Sequence, residues 1–102
     1  MIKMWKIKGK NLTMNLGDFG LPLPINITNV LETDVIKFEI YKNDGTNLLE
    51  KNLNYSNEKW VLELNKEETQ ILKKEEYLYA IKQYRDETLQ NTINKDSEFI
   101  VD

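Results

Sequence analysis

The chain has 102 residues, 40% of them hydrophobic and 30% charged, with 17 acids against 14 bases for a formal net charge of −3. That length fits one domain and the apolar content supports one modest core, so residues 1–102 read as a single globular domain. Cysteine and histidine are both absent, which removes disulfides, thiol nucleophiles, Cys-ligated zinc, the commonest general base and the commonest metal ligand together.

In chain order, Trp5 and Ile7 alternate with Lys6 and Lys8 as a short strand would, and Gly9-Lys10 can turn it. Lys3, Lys6, Lys8 and Lys10 form a basic comb, which reads first as the solvent side of an edge strand, where lysines discourage unwanted pairing. Leu12, Met14 and Leu16 give a second strand that stops at Gly17-Asp18. Leu21, Leu23, Ile25 and Ile27 alternate again, but Pro22 and Pro24 cannot donate to a ladder, so this strand is predicted to lie at a sheet edge or to pair only through its later half. Thr28 to Asp34 is a polar connection.

Val35 to Lys42 is the clearest strand, with Ile36, Phe38 and Ile40 on one face and Lys37 and Glu39 on the other. Asp44-Gly45 predicts a hairpin whose return strand runs from about Asn47 to Leu53. Asn54 to Glu58 reads as a loop, and Trp60, Leu62 and Leu64 as the inward face of the next strand. Asn65 is a predicted N-cap, its side chain accepting from the backbone while Glu68 reaches back in a capping box. The resulting short helix near residues 66–72 is too short to stand alone, so Ile71 and Leu72 are expected to anchor it on the core, with Lys73 and Lys74 at its negative end. Glu76 to Tyr84 is a strand carrying Tyr77, Tyr79 and Ile81 on one face. Arg85-Asp86-Glu87 turns it into Thr88 to Ile93, and Asp96-Ser97 makes a last corner before Phe99 and Val101. The expectation is an all-β fold, an immunoglobulin-like antiparallel β-sandwich of about seven to eight strands.

The order of Leu12 to Asp18, the extended Leu21 to Ile27, Asp34 to Ile40, Trp60-Val-Leu-Glu-Leu64 with its Asn65-Lys-Glu-Glu-Thr69 helix, Tyr77-Leu-Tyr-Ala-Ile81 and Glu98 to Val101 resembles the N-terminal immunoglobulin-like domain of phage baseplate upper proteins. In that family an early Gly-Asp precedes a strand, a Glu-Glu-Thr helix precedes a Tyr-x-Tyr-x-Ile strand, and Gly-x-Phe-x-Val ends the domain. Ser97 stands where the family tends to have Gly, and Asp102 closes the sequence before the receptor-directed or fibre-like region that often follows. The resemblance implies a non-enzymatic structural or adaptor module of a bacteriophage or prophage tail or baseplate. Such a module would be made in the host cytoplasm without a signal peptide, reside in the virion, and contact other tail or baseplate proteins or further copies of itself. A small phage-encoded inhibitor of a host or defence protein and a carbohydrate-binding module are the two alternatives.

Trp60, Tyr77 and Tyr79 fall at inward positions and are predicted to be core. Trp5, Tyr41, Tyr55 and Tyr84 are predicted to be exposed, being near chain ends or on the polar sides of strands, and with Lys6 and Lys8 they are the candidate partner-contact residues. Glu67, Glu68, Glu75 and Glu76 are explained by helix capping and solvation. Asp34, Asp44 and Asp86 fit turns. No catalytic, cofactor or metal residues are assigned. The acidic balance argues against nucleic acid as a partner, and no apolar run reaches the length of a signal-peptide core or membrane span.

Overall fold

A computed structural model describes residues 5–102, the side chain of Asn94 excepted; Lys3, the first tooth of the lysine comb, lies outside the described residues. The strands are β1 (Trp5–Lys8), β2 (Asn11–Met14), β3 (Leu23–Ile25), β4 (Val35–Tyr41), β5 (Asn47–Asn52), β6 (Asn54–Ser56), β7 (Lys59–Leu62), β8 (Glu76–Arg85) and β9 (Thr88–Val101), with α1 (Lys66–Thr69) between β7 and β8. They form a six-stranded sheet of order β1-β2-β9-β8-β4-β5 and a three-stranded sheet of order β3-β7-β6. The molecule is an all-β sandwich.

Period-two alternation decides which side chains meet between the layers. From the larger sheet, Leu12, Met14, Ile36, Phe38, Ile40, Tyr77, Tyr79, Phe99 and Val101 are buried; Leu23, Trp60 and Leu62 meet them from the smaller one. An aromatic row crosses the large sheet. Phe38 stacks on Tyr79 at 4.9 Å between centroids and meets Phe99 edge-on at 6.0 Å, and Phe99 meets Trp5 edge-on at 5.9 Å. Offset and T-shaped contacts of this kind suit the ring quadrupoles and tie β1, β9, β4 and β8 into one unit.

Several expectations need correction. Asn54–Ser56 is a strand, not a loop, paired with β7 through Tyr55 opposite Trp60. Its residues are all exposed and carry no alternation, so the only local cue is the turn: Asn57 and Glu58 both take positive φ, the type I′ geometry that matches strand twist. Thr88 to Val101 is one long strand instead of a return strand, a corner and a closing strand. The presumed corner at Asp96-Ser97 is a bulge: Asp96 has φ 55°, the β8–β9 register shifts there, and Ser97 is buried within the strand. The closing strand also departs from the antiparallel expectation, because β9 runs parallel to β2, with Leu12 opposite Phe99 and Met14 opposite Val101. The strand expected over Leu21 to Ile27 is only Leu23–Ile25, and it does lie at an edge, where its prolines are tolerated.

The helical turn is shorter than expected, four residues from Lys66 to Thr69. Its capping box is present: Asn65 Oδ1 accepts from the Glu68 N–H at 2.8 Å, and Glu68 Oε1 accepts from the Asn65 N–H at 2.9 Å. The same Glu68 oxygen accepts from Lys51 Nζ at 2.9 Å, fastening the turn to β5. Leu72 is buried as expected, whereas Ile71 is exposed, because successive residues leaving a helical turn cannot both face one side.

Asp34 is more than a turn residue. Its carboxylate accepts two bonds from Arg85, at Nε and at Nη2, one from Gln83 Nε2 and one from the Leu31 N–H, all at 2.9 Å. This clasp holds the connection before β4 against the end of β8. The fork-on-fork geometry suits Arg and would be lost with Lys. The Arg85 bonds, followed by those of Leu31 and Gln83, outweigh burial and hold the Asp34 carboxyl well below the usual carboxylate range.

Two predictions follow from these local devices. Because the folded-state value for Asp34 lies below the unfolded value of about 3.9, ionised Asp34 stabilises the fold at neutral pH, and this contribution is lost as pH falls below about 4 toward the folded value. Asp34→Asn therefore lowers Tm at pH 7 and flattens the acid limb of Tm against pH; parallel wild-type and variant curves would refute the assignment. Asn65→Ala removes the cap at a cost of about 1 kcal/mol, read as a Tm lowered by roughly 4–8 °C in a domain of this size.

Candidate interaction surface

Chemistry at the surface is limited by what the described side chains are already doing. Tyr41 and Tyr77 have their hydroxyls pushed above the usual phenol range, both mainly by burial, with the Asp96 hydrogen bond adding to the effect at Tyr41. Lys82 is raised by its 2.9 Å contact with Glu39, and Arg85 by Asp34. Asp44 is lowered by the Thr46 side chain and backbone. Each of these shifts moves its group further into the protonation state it already has at neutral pH. A general acid or base needs the reverse. Among the described residues no three carboxylates converge as a metal site would require, and Glu67 and Glu68 sit in the first turn of α1, with Glu68 spent on the cap.

The six sequence-derived contact residues do not assemble into one site. Trp5 is half-buried: its ring rests on Phe99 and its Nε1 donates to the Leu21 carbonyl at 2.9 Å, so it bridges the two layers. Tyr41 is half-buried on the outer face of the large sheet, where its hydroxyl donates to Asp96 Oδ1 and accepts from the Asp96 N–H, securing the β9 bulge. Tyr84, also half-buried, lies at the other end of that face under Lys37, whose Nζ is 5.0 Å from the ring centroid. In the β4–β8 register Tyr41 pairs with Leu78 and Val35 with Tyr84, which separates the two tyrosines by about 20 Å at the strand rise. Tyr55 alone of the four aromatics is exposed, at 39%, and it tilts against Trp60 at 5.0 Å. The expected exposure of Trp5, Tyr41 and Tyr84 is thus corrected. The Trp5 indole and the Tyr41 hydroxyl found hydrogen-bond partners within the fold and the Tyr84 ring is covered by Lys37, which polarity patterns cannot reveal. Lys6 and Lys8 are exposed on β1. Trp60, Tyr77 and Tyr79 are buried, as their inward positions predict.

Two hollows remain. One, of about 500 Å³, lies on the outer face of the large sheet over Ala80, walled by Tyr41, Lys82, Lys95 and Asp96. The other, of about 370 Å³, opens between the layers beside β1 and β3. Its lining is mainly apolar: Ile7, Leu12, Leu23, Ile25, Ile81 and Ile93 contribute, and Ile7 is 60% exposed. The sequence placed Ile7 on one face with Trp5, but nothing in it indicated that the opposing sheet stops short of this position. On the opposite side the two layers are joined directly. Leu53, the single residue between β5 and β6, is buried and donates its N–H to the Ile36 carbonyl at 2.8 Å.

The chain matches no family model, no curated protein and no solved structure. No helix among the described residues is long and apolar enough to cross a membrane.

Because Asp34 and Asp44 are shifted down and Tyr41 and Tyr77 up, NMR-detected titration of these four side chains is expected to show no midpoint between about pH 6 and about pH 8. A carboxyl titrating in that window would reveal a poised acid that the geometry does not account for.

Proposed function

We propose that the domain is a non-enzymatic structural or adaptor module of a bacteriophage or prophage tail or baseplate, working through protein–protein contacts in the virion. The observation that carries the mode of action is the asymmetry of the sandwich. On one side the passage from β5 to β6 buries Leu53 between the layers, while on the other β1, paired only with β2, leaves a free edge beside an apolar hollow. Free edges and uncovered apolar surface are what strand-adding and packing partners use. The filled core, and the direction of the shifts at Asp34, Asp44, Tyr41, Tyr77, Lys82 and Arg85, each away from neutrality, support a binding role over a catalytic one. The tail setting is supported by the sequence resemblance, carried by Leu12 to Asp18, Tyr77 to Ile81 and Glu98 to Val101 with the capped turn at Asn65 between them.

Gold-labelled antibody against the domain, applied to virions purified from the phage or lysogen that encodes it, is expected to decorate the tail. Retention of the whole signal in the soluble lysate, with bare particles, would reject the virion role and favour a host-directed inhibitor.

A further inference from the structure

The open seam is bounded by two sheet edges, β1 in the large sheet and β3 in the small one, and their backbones differ in what they offer. Pro24 pairs with Val61 in the β3–β7 register. Proline has no N–H, so this pairing is carried by the N–H of Ile25 and the carbonyl of Leu23, which point at β7. The nitrogens of Pro22 and Pro24 then face the open side, where they donate nothing. The β3 edge is blocked to an incoming strand.

The β1 edge is the opposite case. Lys8 pairs with Asn11 across the two-residue turn Gly9-Lys10, with Gly9 at φ 62° in the first turn position. In such a hairpin the closing pair exchanges hydrogen bonds and the pairs alternate from there. Lys8 and Lys6 therefore bond inward to β2, whereas the N–H and carbonyl groups of Ile7 and Trp5 point outward from the sheet. Side chains alternate too: Trp5 and Ile7 turn toward the opposing layer, and Lys6 and Lys8 away from it.

We infer that the free edge of β1 is a strand-addition site for an extended partner segment in which acidic residues alternate with apolar ones. The partner's apolar residue opposite Ile7 projects into the hollow between the layers, and its neighbours on either side face Lys6 and Lys8. Charge complementarity selects the acidic residues, because Lys6, Lys8 and Lys10 gather on this hairpin of a chain whose net charge is −3. It also disfavours a second copy of the chain as occupant. A two-fold β1–β1 pairing centred on Ile7 sets Lys6 of one copy directly opposite Lys8 of the other, and directly opposed like charges destabilise a ladder. The inference rests on the reading of the domain as a contact module and deepens it by naming the edge and the partner's chemistry.

The test uses the purified full chain with fluorescein-labelled peptides of repeating Glu-Val, Lys-Val and Glu-Gly, so its outcome is independent of virion decoration. Saturable binding of Glu-Val alone is expected, weakened about tenfold by Lys6→Glu with Lys8→Glu or by raising salt from about 50 to about 500 mM. Hydrogen exchange at the Trp5 and Ile7 amides should slow on binding, while Lys6 and Lys8, already in the β1–β2 ladder, should change little. Ile7→Pro removes the outward donor without removing a bond to β2, and should abolish binding while keeping the wild-type melting transition; if that variant unfolds, the exchange pattern of the wild type decides. No binding, equal binding of Lys-Val or Glu-Gly, or protection located elsewhere would overturn the inference. So would a dimer in sedimentation that Ile7→Pro dissolves, since the occupant would then be a second copy.

Discussion

A six-stranded layer packed on a three-stranded one cannot be covered across its whole width, and this mismatch governs the rest of the molecule. Strands lie about 4.8 Å apart, so the small sheet spans about half the large one. The side over β4 and β5 is sealed by the tight passage from β5 through Leu53 into β6. The shortfall is thereby pushed to the side of β1, where Trp5 reaches across to Leu21 as a strut and Ile7 is left facing a hollow. The aromatic row from Trp5 through Phe99 to Phe38 and Tyr79 keeps β1 rigidly attached despite its thin cover.

The polar residues divide into those that hold the frame and those left over. Asp34, Arg85 and Gln83 clasp a connection to β8; Asn65, Glu68 and Lys51 pin the helical turn; Tyr41 and Asp96 brace the bulge. Asp34 and Arg85 are shifted chiefly by their mutual hydrogen bonds and Lys82 by its bond to Glu39, whereas Tyr41 and Tyr77 are shifted chiefly by burial. Perturbed ionisation can mark a reactive site, but structural ion pairs produce it equally, and here the direction of each shift identifies the structural case. The lysines of the first hairpin belong to the other group: Lys6, Lys8 and Lys10 are exposed and take part in none of the ion pairs found among the described residues.

Legibility followed the physics of each element. Strands with one apolar and one polar face, such as β4 and β8, could be read because alternation encodes burial directly. The Asn65 cap could be read because it is a local hydrogen-bond exchange over a few residues. Asn54–Ser56 escaped notice because it is exposed on both faces and is specified by its partner and its turn. Asp96 looked like a corner because a bulge and a turn share the same positive φ. The contact residues were the least legible: whether Trp5, Tyr41 or Tyr84 is free depends on partners 16 to 55 residues away in sequence, as with Leu21 for Trp5 and Asp96 for Tyr41. The partial exposure of Ile7 depends on where a different sheet ends.

The parallel seam between β2 and β9 bears on how the domain is made. β2 lies near the start of the sequence and its partners, Phe99 to Val101, near the end, so the first hairpin has no neighbour until almost the whole domain has left the ribosome. Phe99, one of the most deeply enclosed side chains, leaves the ribosome after almost all the other described residues of the domain. Contacts of such long sequence separation are slow to form and leave strand edges open meanwhile. Vectorial synthesis thus lets β4 to β8 pair first and leaves the joining of the first hairpin to the end, with residues 99–101 as the keystone.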